Sequence, residues 1–100
     1  MIDLDLSRCR KRIDRTDEQI VQLLTRRAKL ALEAAKMKRI HGVSIFDPKR
    51  ESEIFSRVTS PNCNPLSQGA VAHVFRAILT ESHRLQAREE KYTLDIRHAK

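Results

Sequence analysis

Apolar residues recur with helical spacing from near the start of the chain. Between Leu6 and about Arg39 there is neither Gly nor Pro, and Ile13, Ile20, Leu23, Leu24, Leu30, Ala31 and Ala34 share one stripe. At about 100° per residue, all of them lie within roughly 60° of the direction of Arg27, and Lys38 points only about 20° from it. The spacing predicts one helix over about 6–39, closed near His41-Gly42, where glycine supports a C-terminal stop. A short connection, Val43 to Phe46, leads to Asp47-Pro48, an N-cap residue followed by proline at the first helical position. A second helix is expected over about 47–59, closed by Ser60-Pro61-Asn62. Ser67 is the expected N-cap of a third helix over about 67–91, and the polar residues 92–100 are expected to fray. The fold class is therefore all-α, with a long, a short and a medium helix in a single domain over residues 1–100.

Polar residues interrupt each stripe. Arg27 and Lys38 project from the centre of the first, a face expected to be buried, and a buried cation without an anion is prohibitively costly. The second helix places Ile54, Phe55 and Val58 on one face with Glu51, and Asp47 lies one turn earlier. The third is expected to bury Val71, Val74, Phe75, Ile78 and Leu79, and the same spacing continues through Ser82, Leu85 and Gln86. Two readings are open. Arg27 or Lys38 could simply pair with Glu51 while Ser82 bonds back to its own helix. Alternatively, the set lines a site. The second is favoured, because a small core rarely tolerates so many polar side chains otherwise. With cations in excess, the missing partner is expected to be an anion carrying carboxylates.

The length of the first helix adds a partner. About 34 residues at 1.5 Å each span about 50 Å, far beyond the ~13 Å radius of gyration of a compact 100-residue globule. A second copy of the chain is the expected cover for its stripe, giving an intertwined helical homodimer. A coiled coil is the simpler alternative, but heptads are not sustained. Arg10 lies about 100° around the helix from Arg27. From an antiparallel partner it could reach the other protomer's pocket; otherwise it is one more solvent-facing cation beside Arg8, Lys11 and Arg12.

Composition narrows the ligand class. With 40% hydrophobic and 33% charged residues, two Gly and no Trp, the chain reads as a soluble, helix-rich protein. No apolar run approaches the ~20 residues of a membrane span. The opening MIDLDLSRCRKR lacks the apolar core of a signal peptide, so a cytoplasmic location is expected. Cys9 and Cys63 are unpatterned and expected to be free thiols, and the four histidines show no ligand spacing, so no metal is expected. The net charge of +7 suits nucleic acid, an anionic membrane surface or a small anionic substrate. Only four aromatics are present, and the most informative cations sit on apolar stripes, which favours the small anion. A basic helical interaction module, binding nucleic acid or a partner helix, is the non-enzymatic alternative.

The pattern resembles a known family, the all-helical class of chorismate mutases. CRKRIDRTDEQIVQLLTRRAKLALEAAKMK resembles its first helix, FDPKRESEIF its D-x-x-R-E second-helix motif, and NPLSQGAVAHVFRAILTESHRLQ its third helix ending in S-x-x-x-Q. The match covers roughly residues 8 to 88, and the joint spacing of the three motifs is specific. The resemblance implies that Arg27 and Arg10, the latter from the partner chain, bind the two carboxylates of chorismate, with Ser82 assisting. It implies that Lys38 and Gln86 hydrogen-bond the ether oxygen of the breaking bond. Asp47, largely through its backbone, and Glu51 would bind the ring hydroxyl, while Arg50 supports the local charge network.

The implied reaction, chorismate to prephenate, is an intramolecular Claisen rearrangement that needs no cofactor, metal or covalent intermediate. Catalysis then consists of holding a reactive conformer and stabilising charge that develops on the ether oxygen. The sequence departs from the usual pattern at Thr16 and at His83-Arg84, the latter pair near the expected mouth of the site. Relatives with nearly the same frame act on 4-amino-4-deoxychorismate or eliminate pyruvate from isochorismate, and Glu51 could face an ammonium as readily as a hydroxyl.

Overall fold

The ends of the first two helices set where Lys38, Asp47 and Glu51 come to lie. The computed structural model describes the backbone of residues 2–98 and the side chains of residues 5–89. It contains α1 (Ile2–Ile40), α2 (Pro48–Thr59) and α3 (Gln68–His98), and no strand occurs among the described residues. The chain comprises two compact units, Met1–Leu30 and Ala31–Lys100. The first is the N-terminal part of α1, and the second holds the end of α1 with α2 and α3.

Helix α1 stops where the sequence predicts. Gly42 has φ +67°, the left-handed conformation that lacks a Cβ penalty only in glycine. Gly42 N–H donates to Arg39 O at 3.2 Å and Val43 N–H to Lys38 O at 2.8 Å, the paired closing bonds of a Schellman motif. Asp47 then caps α2, its Oδ1 accepting from Arg50 N–H at 3.0 Å, with Pro48 in the first turn where no N–H is needed. Ser67 does the same for α3, its Oγ accepting from Ala70 N–H at 3.0 Å. Thr16, one of the departures from the family pattern, returns its hydroxyl to Arg12 O within α1.

The core of the second unit is small. Ala35, Ile54 and Leu79 are its buried apolar residues, and Arg76 stacks over the Phe55 ring at 5.6 Å as α2 packs on α3. Cys9, exposed, and Cys63, half-buried, are free thiols.

Several sequence expectations need correction. Among the described residues no charged or polar side chain is fully buried, and Arg27 and Lys38 are half-buried within the protomer. Ile13, Ile20, Leu23, Leu24 and Leu30 are exposed in the single protomer, which leaves their expected cover by a second copy untouched. In the second unit the buried line of α1 runs through Ala35, with Ala31 and Lys38 half-buried, while Ala34 is exposed because it lies about 100° from Ala35. Val74 is also exposed, being about 140° around α3 from the buried Leu79. The helices themselves run further than predicted at their outer ends. Nothing in Ile2–Asp5 breaks a helix, and residues 92–98 continue α3 because the stretch has neither Gly nor Pro.

Gly42→Ala has room for its Cβ, with nothing within 4 Å, so its cost is purely conformational. Holding alanine at positive φ costs about 1–2 kcal/mol, and about 1 kcal/mol corresponds to a Tm fall of roughly 4–8 °C in a domain of this size. Thermal unfolding of the variant checks this, and an unchanged Tm would show that the turn is not held in the left-handed conformation.

Candidate active site

The polar cluster of the second unit is assembled by the end of α1, the start of α2 and contacts made from α3. The Schellman stop turns the chain back at Gly42, so that Ile45 O comes within 3.4 Å of Lys38 Nζ as a hydrogen-bond acceptor. The next residues begin α2, and Asp47 Oδ2 lies 3.9 Å from the same ammonium. Lys38 thus lies over the start of α2 with its side chain 27% exposed, enough to spare it the full desolvation cost of a buried charge.

Asp47 serves both ends of this arrangement. One carboxylate oxygen caps α2 while the other faces Lys38, and its backbone carbonyl accepts from Glu51 N–H at 3.1 Å. That last bond closes the first turn of α2 and carries Glu51 into its place. Glu51 also benefits from the positive end of the α2 dipole.

Helix α3 contributes the opposite side. Leu79 is buried, and Ser82 and Gln86, each half-buried, follow on the same face at helical spacing. Gln86 Nε2 donates to Ala31 O at 3.0 Å, tying α3 to the C-terminal part of α1. The carbonyl already belongs to the α1 ladder, but its second lone pair remains available. Ala31 and Lys38 are separated by about two turns and point within about 20° of each other. One strip of α1 therefore carries both the anchor for Gln86 and the ammonium of Lys38.

The contact that sequence reasoning missed lies between α2 and α3. His83 Nε2 is 2.6 Å from Glu51 Oε1, at ion-pairing distance, with the two side chains 54% and 28% exposed. His83-Arg84 is visible in the sequence only as a departure from the family pattern, because the partner that gives His83 meaning is 32 positions away on another helix.

Lys38, Asp47, Glu51, Ser82 and Gln86 all belong to this second unit, linked through the contacts just described and by the α3 face. Arg50 is not drawn in. Its Nη1 sits 3.7 Å from Glu53 Oε2 on the exposed surface of α2, because that residue's backbone, not its guanidinium, is what Asp47 holds. Arg84 likewise pairs with Glu81 along α3. Arg10, exposed, and Arg27, half-buried, lie in the first unit, about 25 Å apart along α1. Among the described residues no group of three or more His, Cys, Asp or Glu could hold a metal ion, and no helix is long and apolar enough to cross a membrane.

Such a cluster offers donors held by local contacts, the Lys38 ammonium and the Gln86 amide, in the same unit as the Glu51 carboxylate and the Ser82 hydroxyl. It can orient a polar substrate and stabilise developing negative charge on it. The chain is similar to known proteins in sequence and in fold. Residues 9–87 match the family described as chorismate mutase type II. The chain is 38% identical over 80 residues to the bifunctional chorismate mutase/prephenate dehydratase of Aquifex aeolicus, covering 76% of this chain and 22% of that protein. It is 40% identical over 53 residues to the chorismate mutase of Methanocaldococcus jannaschii, covering 53% of this chain and 54% of that one. The chain thus spans about a fifth and about half of these relatives' lengths. Among solved structures, form II of the chorismate mutase from Thermus thermophilus is similar with a TM-score of 0.80 at 30% identity, over 83% of this chain and 94% of that chain.

Proposed function

The chain belongs to the chorismate mutase type II family, and from that premise we propose that it catalyses the rearrangement of chorismate to prephenate. The observation that carries the proposal is the tethered amide of Gln86. One N–H is engaged by Ala31 O, so the side chain is oriented before substrate arrives, and an amide has a second N–H to offer. A donor fixed in advance costs no reorganisation when charge develops, which is the condition for effective transition-state stabilisation.

In this reading Gln86 and Lys38 donate to the ether oxygen as the C–O bond lengthens. Lys38 has three N–H donors and keeps one for substrate beside its contacts to Ile45 O and Asp47. Glu51 accepts from the ring hydroxyl, and Ser82 and Arg27 meet carboxylates. Asp47 acts by building the start of α2 and holding Lys38, and Arg50 supports the local charge network from the surface. The bond-making atoms belong to one molecule, so the residues need only select the reactive conformer and stabilise its polarised transition state.

A second copy of the chain completes the assembly. The exposed Ile13, Ile20, Leu23, Leu24 and Leu30 form a continuous apolar face on α1, larger than a lone soluble helix ordinarily presents. Covering it with a partner's helices gives a homodimer in which Arg10 of one protomer reaches the site of the other.

The decisive assay follows loss of chorismate's ultraviolet absorbance without added cofactor and identifies the product. Prephenate is expected, and turnover of only 4-amino-4-deoxychorismate or isochorismate would replace the proposal with that activity. Lys38→Ala should lower kcat by about 10²–10³, the usual cost of removing one such donor, with a smaller change in KM. A raised KM at unchanged kcat would contradict its role. Co-refolding Lys38→Ala with Arg10→Ala should recover about a quarter of wild-type activity, since half the dimers are mixed and each has one intact site. No recovery would exclude Arg10 as a donated residue. Gln86→Glu should gain activity as pH falls toward the ordinary glutamate pKa of about 4.3, because only the protonated carboxyl can donate. A flat profile would count against the assignment.

A further inference from the structure

Glu51 is the only carboxylate side chain assigned to accept from the substrate ring, and a glutamate side chain has three rotatable bonds to immobilise. Left alone in the first turn of α2 it would sample several rotamers, and substrate binding would then have to fix one of them at an entropic cost. His83 removes that freedom. Its Nε2 lies 2.6 Å from Oε1, and it is rooted on α3 between Ser82 and Gln86. The carboxylate is thereby registered against the same helix that carries the other two α3 groups of the site.

The pair contributes little to holding the fold. His83 is 54% exposed, and ion pairs so open to solvent are screened and contribute little to stability. Packing of α2 on α3 rests on Ile54, Leu79 and the Arg76–Phe55 stack. The nearby charges on α3, Glu81 and Arg84, are engaged with each other, and on α2 Arg50 faces Glu53. What His83 changes is Glu51 itself. With one oxygen engaged by a donor, the carboxylate presents its other oxygen in a defined direction and with reduced negative potential. A neutral hydroxyl needs only an aligned acceptor. A substrate ammonium gains most from an unshared full charge.

We propose that His83 is a positioning residue for Glu51, and that it biases the site toward a ring hydroxyl over a ring ammonium. The proposal rests on the chorismate mutase reading. It is tested with three proteins, wild type, His83→Leu and His83→Gln, each assayed with chorismate and with 4-amino-4-deoxychorismate as competing ligand. His83→Leu should raise KM for chorismate by about five- to tenfold with kcat changed less than about twofold, the signature of lost uniform binding. It should also lower the inhibition constant of the amino analogue relative to that KM. His83→Gln, whose amide can donate to the same oxygen, should return both quantities most of the way to wild type. A His83→Leu enzyme with wild-type KM and selectivity, or a His83→Gln enzyme as impaired as His83→Leu, would overturn the proposal. A wild-type protein that does not turn over chorismate would instead overturn the functional reading on which it rests.

Discussion

Lys38 meets Asp47 because α1 ends just beyond it, at a glycine that can take positive φ. The Schellman bonds bring Val43 back onto Lys38 O, and the few residues that follow have no slack in which to wander before Pro48 starts the next helix. Ile45 O and the Asp47 carboxylate then arrive beside the ammonium as a matter of chain geometry. Displace that reversal and the start of α2 moves, taking with it the cap, the Lys38 pair and the turn that carries Glu51.

The second unit holds its polar groups by local bonds more than by deep burial. Its buried apolar core among the described residues is Ala35, Ile54 and Leu79, and no charged side chain there is fully enclosed. Partial exposure moderates the desolvation cost of Lys38 and Glu51, while caps, the Gln86 tether and the His83 contact supply orientation. For the proposed unimolecular rearrangement that is a sensible division of labour. Nothing must be ionised or deprotonated to begin, and the required property is that donors already point where charge will appear.

Legibility in the sequence followed sequence separation. The Gly42 stop, the Asp47 and Ser67 caps and the existence of three helices are written in short stretches whose chemistry is self-contained. The outer helix ends were misjudged because polar, aperiodic residues still propagate a helix when no breaker intervenes. Burial of α1 within the single protomer follows a different line from its large apolar residues. Counting large apolar residues centres the stripe on the long side chains, whereas the buried residue of α1 in the second unit is Ala35, too small to weigh in such a count. Arg50 divides its contributions, its backbone N–H joining the α2 cap while its guanidinium pairs with Glu53 on the surface.

By itself the sequence determined where the helices break, which residues cap them and which polar groups interrupt their apolar stripes, because each depends on neighbours within about one helical turn. Only the tertiary structure decided that Gln86 would hang from Ala31 O and that Glu51 would face His83. Those pairings join residues on different helices, and their existence depends on the rotation of each helix about its own axis. A shift of one residue in register turns a side chain by about 100°. That rotation is set by how Ile54, Phe55, Leu79 and their neighbours pack, which no local pattern specifies.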